Sequence, residues 1–375
     1  MKNIPAAPVP RRILRAIIFS AALAAASLRV SGAHAQASLP KVSGFLQLTA
    51  AHDNSALGGQ TAGPNATRSS LGLKRIRVEF AGTASPKTSY CIMIAGEPAT
   101  GLTLFTASVD HQLVEKLLVV RAGQFKYPFS LEGYESGKNR PMIVNAEGTD
   151  VISKKLGSTG GSFRDIGVQL GGNYRPSFTS LANIDYAFAV VNGSGPVANG
   201  AKDNNDFKDI VARVQFNLPP QFLVGASLHS GRADNQGQSY AQHERSYGLH
   251  GQAKLFDGKT TARAEYLSGF YRNANGNRRD VNPLSWYVLI SQSILTDLDL
   301  LARYEDWQNN RLVARGHLRT TTLGATYRMS SAVKLMFNHQ FRRAQGNAAA
   351  TADGNTKATG NDIRDLSALQ LQLVF

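Results

Sequence analysis

The chain has 375 residues, 18% of them charged, with 41 lysines and arginines against 26 acids, a net charge of +15, and one cysteine, Cys91. A lone cysteine excludes internal disulfides, and no apolar run reaches the roughly 20 residues that a membrane-crossing helix needs. The basic excess is dispersed rather than gathered in a tail, which argues against nucleic acid and for small anions as partners.

Residues 1–35 read as an export signal. Lys2, Arg11, Arg12 and Arg15 make a positive start, 16–27 is a short apolar core, and the sites Ala33-His34-Ala35 and Ala35-Gln36-Ala37 follow. Cleavage is expected after residue 35 or 37, leaving one domain over 36–375. Arg11-Arg12 has the pairing of a twin-arginine signal without its surroundings, so an ordinary secretory signal is expected. Removing the five basic residues of this leader leaves about +10 on the mature chain.

From Lys41 onward one pattern repeats. About ten residues alternate apolar with polar or small, then a break rich in Gly, Asn, Asp, Pro or Ser follows, as in strands with one apolar face. Sixteen such runs are centred near Leu46, Val78, Ile92, Thr106, Val120, Val168, Tyr186, Val214, Ala226, Gly251, Ala264, Val288, Leu301, Gly324, Leu335 and Leu371. The breaks alternate in length. Short ones fall at 82–87, 111–116, 175–181, 218–220, 256–259, 293–296 and 329–331. Long ones fall at 52–72, 126–162, 192–207, 230–244, 269–282, 308–316 and 344–361, and a short break at 96–101 interrupts the rhythm once. Short turns at one end and long loops at the other are the habit of a transmembrane barrel with both termini in the periplasm.

The two faces separate a soluble sandwich from a barrel in lipid. Ile76, Val78 and Phe80 oppose Arg75, Arg77 and Glu79, and Ile210, Ala212, Val214 and Phe216 oppose Arg213, Gln215 and Asn217. Ala262, Ala264 and Tyr266 likewise oppose Arg263 and Glu265, and Leu298, Leu300, Ala302 and Tyr304 oppose Asp299, Arg303 and Glu305. An arginine at the lipid-facing midplane costs about 2–4 kcal/mol, so the charges are expected to face inward. Leu369, Leu371, Leu373 and Phe375 share one face of a last strand ending on an aromatic, like the recognition signal of bacterial outer-membrane barrels. Tyr90, Tyr186, Tyr266, Trp286, Tyr304 and Tyr327 have places on apolar faces and are expected in interfacial girdles.

The centre of the pattern is R-A-G-Q-F-K-Y-P-F-S-L-E from Arg121 to Glu132. It opens the long basic break 126–162, which carries Lys126, Lys138, Arg140, Lys154 and Lys155. The chain then resumes as F-R-D-I-G-V-Q-L-G-G. A basic segment of this length between two alternating strands predicts a loop folded into a barrel and narrowing it. These two stretches, with L-K-R-I-R-V-E-F-A-G from Leu73, resemble the phosphate-selective porin O and P family of bacterial outer-membrane porins. The resemblance runs over the whole mature chain as a strand-and-loop rhythm. It implies an all-β, sixteen-stranded antiparallel barrel with its third long loop turned inward, a homotrimer, outer-membrane lipid around it, and phosphate or polyphosphate as solutes of some members. No residue-by-residue match to a phosphate site falls in 134–161.

An anion path needs positive charge where water is confined. The wall candidates are Arg75, Arg77, Arg121, Arg164, Arg213, Arg263, Arg303 and Arg342, joined by the five basic residues of the long break. Guanidinium grips phosphate with two parallel hydrogen bonds, whereas lysine acts as a mobile point charge. A plainer reading has these charges pairing with Glu79, Asp165, Glu265 and Glu305 in a general pore. No catalytic, nucleotide or metal motif occurs, so neither cofactor nor enzymatic activity is expected. His229, His250, His317 and His339 lack ligand spacing, and 203–209 lacks the glycine and glutamate of a calcium loop. Two other classes remain compatible: a barrel enzyme, with a nucleophile near Ser227, His229 and His250, and a plugged barrel serving as a surface.

Overall fold

A strand that alternates apolar and polar residues has one face to shield, and a sheet closed on itself shields it while leaving no edge unpaired. The computed structural model describes residues 39–53, 68–97, 101–155, 163–176, 183–193, 195, 207–218, 221–233, 242–275, 279–312, 316–345 and 363–375. The export signal expected over 1–35 lies outside them, as do 203–206.

The described strands are β1 (Lys41–Asp53), β2 (Arg68–Ser85), β3 (Thr88–Glu97), β4 (Gly101–Val114), β5 (Leu118–Lys126), β6 (Arg164–Tyr174), β7 (Asn183–Val191), β8 (Asp209–Leu218) and β9 (Phe222–Ala233). They continue with β10 (Gln242–Leu255), β11 (Thr260–Asn275), β12 (Arg279–Val281), β13 (Leu284–Ser293), β14 (Leu298–Gln308), β15 (His317–Arg328), β16 (Val333–Gln345) and β17 (Ile363–Val374). A nine-residue helix, α1 (Glu147–Lys155), lies between β5 and β6.

The strands pair antiparallel, and β17 returns to β1 from Phe45↔Val374 to Asp53↔Leu366, which closes the sheet. Gly44 and Phe375 complete the seam by exchanging backbone hydrogen bonds of 2.8 and 3.1 Å. β12 and β13 both pair with the same edge of β11, at Tyr271↔Val281 and Ser268↔Leu284. They are two parts of one stave, parted at Pro283, which has no N–H for the ladder. The barrel therefore has sixteen staves, one for each run in the sequence.

Strands extend further into the breaks than composition suggests. β4 runs to Val114 through the break at 111–116, and β11 and β12 occupy most of 269–282. A strand runs as far as its neighbour pairs with it, and that hydrogen bonding overrides local propensity there. The break at 126–162 is likewise not wholly irregular, since it contains α1.

The outward face is apolar as expected, with Leu102 80% and Leu249 59% exposed. Tyr266, Trp286, Tyr304 and Tyr327 stand on it, the Trp286 and Tyr304 rings 5.5 Å apart, while Tyr90 and Tyr186 are half-buried. The inward face is not uniformly polar. Val191, Val211, Leu267, Leu289, Leu301 and Met336 are buried there because segment 127–155 packs on them. Met142 and Ala146 join Leu289 and Leu301 in one cluster, and Ile143 joins Met336 in another.

Gly123 shows how close two staves come at the base of that segment. Its φ is +120°, and a Cβ would sit 2.2 Å from the Ala107 carbonyl oxygen. Gly123→Ala is expected to destabilise the barrel by about 1–3 kcal/mol through backbone strain alone. A lowered unfolding temperature in detergent, with unchanged stability for an alanine at the open Gly72, checks it.

Candidate functional site

The segment after β5 is fastened to the inward face at many points. Its base is an apolar anchor of Phe125, Tyr127, Phe129, Ile152 and Phe163 against Ala189, Val191, Val211 and Leu267. Ser130, held at a φ of 69°, donates its N–H to Ser227 Oγ at 3.1 Å, and its own hydroxyl accepts from Gly133 N at 2.9 Å. The Leu131 and Glu132 N–H groups donate to Glu265 at 2.7 and 3.2 Å. Farther along, Ile143 N donates to Asn338 Oδ1 at 2.7 Å, and the Lys138 carbonyl accepts from Lys334 and Gln372 at 3.1 and 3.0 Å.

Ion pairs add to these ties. Arg303 on β14 is 1% exposed and donates to Glu132 Oε1, Val144 O and Asn145 O at 3.3, 3.0 and 3.2 Å, with Glu305 Oε2 at 3.6 Å. Arg263 on β11 reaches Glu135 at 2.7 and 3.3 Å, and Arg342 on β16 reaches Glu147 at 3.3 Å. Arg263 and Arg303, expected from the sequence as pore-lining charges, are thus each engaged by an acid of the segment. Acids of the segment, out of sight in a strand-by-strand reading, engage both guanidinium groups and make them struts. Of the expected partners, Glu305 pairs with Arg303, whereas Glu265 and Asp165 accept backbone N–H groups, Asp165 from Ile166, Gly193 and Gly195.

The remaining cations gather on the β1–β6 side. Lys74, Arg75, Arg77, Lys126, Arg140 and Arg164 line one cavity of about 410 Å³, with Glu79 as its carboxylate. Two β-bulges shape this wall. The β1–β2 register shifts between Gln47 and Leu48, leaving Lys74 as the extra residue, and its ammonium turns inward to the Ile143 carbonyl at 2.5 Å. The β3–β4 register shifts between Met93 and Ile94, leaving Phe105 extra and inward. Arg77 and Arg164 lie over its ring at 4.1 and 3.6 Å, a cation–π arrangement that holds two guanidinium groups side by side.

Arg164 Nε also donates to Thr106 Oγ1 at 3.1 Å, Arg75 to Gln47 at 3.2 Å, and Lys126 to the Glu135 carbonyl at 2.7 Å. Arg140 is 8% exposed, and its Nε is buried without a hydrogen-bond partner among the described residues. Lys154 and Lys155 are the last residues of α1, and their side chains lie outside the description.

Tyr134 also lines a second cavity of about 360 Å³ with a mixed wall. Arg121 there is held two-pronged by Asp110, both contacts 2.7 Å, and Arg213 lies 5.2 Å over the Tyr134 ring beside Gln215 and His250. Asp185 adds a second carboxylate. The arginines thus divide into a strongly basic group and a charge-balanced one.

The sequence over residues 53–375 matches the profile of the family described as phosphate-selective porin O and P. The chain belongs to that family. No curated protein matches it significantly.

Among solved structures, the porin fold is similar to an anion-selective porin from Comamonas acidovorans. That pair shares 14% identity over 91% of this chain and all of that one, with a TM-score of 0.67. OmpF of Salmonella typhi in complex with daunomycin shares 11% identity over 90% of this chain and 98% of that one, with a TM-score of 0.61. The trimer form of OmpT from Vibrio cholerae shares 11% identity over 90% and 100%, with a TM-score of 0.56.

For this porin the sequence reading missed Lys74, Phe105, Tyr134 and the loop acids Glu132, Glu135 and Glu147. Lys74 left a trace: a lysine in phase with Ile76 would face lipid unless a bulge turned it. Ser227, His229 and His250 stand on neighbouring inward positions of β9 and β10. They engage Ser130 N, Asp209 and Arg213 respectively, and among the described residues neither histidine hydrogen-bonds a serine. Among the described residues no cluster of metal-ligating side chains occurs.

Proposed function

We propose that this porin is an anion-preferring diffusion channel of the bacterial outer membrane, exported by a leader removed after residue 35 or 37. Segment 127–155 is its constriction, lying across the water path and tied to the inner wall. The observation that carries this reading is the cavity where six cations face one carboxylate between wall and segment. Unit charges about 4 Å apart interact by roughly 4 kcal/mol at an effective dielectric near 20 and by about 1 kcal/mol in bulk water, so confinement multiplies the preference.

Phosphate-like oxyanions fit this cavity, since Arg77, Arg140 and Arg164 offer forked donors to tetrahedral oxygens. Binding must stay shallow for the ion to leave. The charge-balanced second cavity supports a second reading, a general pore with no phosphate site. Chloride conductance measured with rising phosphate separates the two. Saturable block at low phosphate is expected of the basic cavity, and undiminished chloride current would favour the general pore.

A homotrimer is the assembly expected in the membrane. It is supported by family membership and by the trimer form of the similar OmpT structure. Cross-linking of the folded porin in detergent to a species of three chains is the expected result.

A further inference from the structure

At the end of the barrel opposite the Gly44–Phe375 seam, the outward face changes character over three adjacent staves. Leu228 of β9, Tyr247 and Leu249 of β10 and Tyr266 of β11 are exposed and apolar or aromatic. Continuing along the same face toward the long breaks, the outward positions become Arg232, His243, Arg245 and Arg272. Their inward neighbours Glu244, Ser246 and Tyr271 are buried, which fixes His243, Arg245 and Arg272 as outward, and Arg232 follows Leu228 at the same two-residue period on β9, where His229 and Gly231 are buried.

The four are also laterally adjacent. His243 stands directly opposite Arg232, Arg245 opposite Phe270, and Arg272 lies one residue past the Glu244↔Tyr271 pair. Arginines gathered on one face repel one another unless something between them is negative. The carboxylates of these three strands, Glu244 and Glu265, both face inward and are buried. Arg232 lies 4.3 Å over the Phe207 ring and Arg272 lies 5.6 Å from the Phe270 ring, which steadies the planes of both guanidinium groups.

The staves β14 and β15 handle the same situation differently: there Asp306 neutralises Arg319 at 3.2 Å and lies 2.9 Å from His317 Nδ1. On β9–β11 neither Arg245 nor Arg272 has an ion-pair partner among the described residues.

We infer that this face is a docking surface for a phosphate-bearing lipid headgroup of the outer leaflet, with the cluster gripping the phosphate and the apolar positions below taking the acyl chains. The inference rests on the outer-membrane reading, with the long breaks outward. Arginine forks match phosphate oxygens, and basic groups just beyond an apolar band sit at headgroup depth. A lipid satisfies both halves of the surface, where a free ion satisfies one.

The test is native mass spectrometry of the folded porin in neutral detergent with lipid A, its dephosphorylated form and phosphatidylcholine, for wild type, Arg245→Gln/Arg272→Gln and Arg245→Lys/Arg272→Lys. Wild type is expected to retain lipid A and not the other two. The glutamine variant should bind it about tenfold more weakly, the lysine variant should fall between it and wild type because it keeps the charge and loses the fork, and inorganic phosphate should not displace it. Equal retention of the dephosphorylated lipid, unchanged binding by the glutamine variant, or displacement by inorganic phosphate would overturn the proposal. Ion selectivity in phosphatidylcholine bilayers reads the channel itself and is expected unchanged in both variants, so the two readings fail separately.

Discussion

Arg303→Met is expected to loosen the segment after β5 and to cost about 3–5 kcal/mol of stability, the largest single effect in this barrel. The side chain is fully enclosed, donates to three acceptors, Glu132 and two carbonyls of the segment, and forms an ion pair with Glu305. Methionine fills similar space, so the loss is electrostatic. It strands Glu132 and Glu305, each 3% exposed, without their cation. Urea unfolding in detergent should show the lowered midpoint, and single-channel records should become noisier as the segment moves. Arg303→Met/Glu132→Gln should recover part of the loss, because one of the stranded charges is gone. Unchanged stability in the single variant would mean that Arg303 is not a strut.

Reversing charge in the basic cavity is the second large expected effect. Arg77→Glu/Arg140→Glu changes the balance around the cavity from six cations and one carboxylate to four and three. With a few kcal/mol at stake per nearby pair at an effective dielectric near 20, the chloride-over-potassium permeability ratio should fall at least tenfold, which corresponds to about 1.4 kcal/mol. Removing the ion pair on the balanced side, Arg121→Gln/Asp110→Asn, should change it far less, since the net charge there stays the same. Equal shifts from both sites would place the selectivity outside the basic cavity. Raising salt should shrink the difference, as the Debye length falls to about 3 Å at 1 M.

All sixteen staves were legible in the sequence, because a membrane strand must declare its two faces residue by residue. The bulges were not. Lys74 and Phe105 turn inward through a one-residue mismatch with the partner strand, and a strand read alone contains no information on its partner's register. The roles of the arginines were only half legible for a related reason. Arg75, Arg77, Lys126, Arg140 and Arg164 do meet, as the basic segment beside an arginine-bearing wall suggested. Arg303 and Glu132 stand 171 residues apart, and only the path of the segment brings them together. The inward-facing Leu289 and Leu301 recorded that path in advance, since apolar residues on a wetted wall require a cover.

The most direct test of the account is the reversal potential of the wild-type porin in planar bilayers under a potassium chloride gradient. A potential of the sign set by chloride, collapsing toward zero in Arg77→Glu/Arg140→Glu, is the predicted result. A potential of the sign set by potassium in the wild type would contradict it.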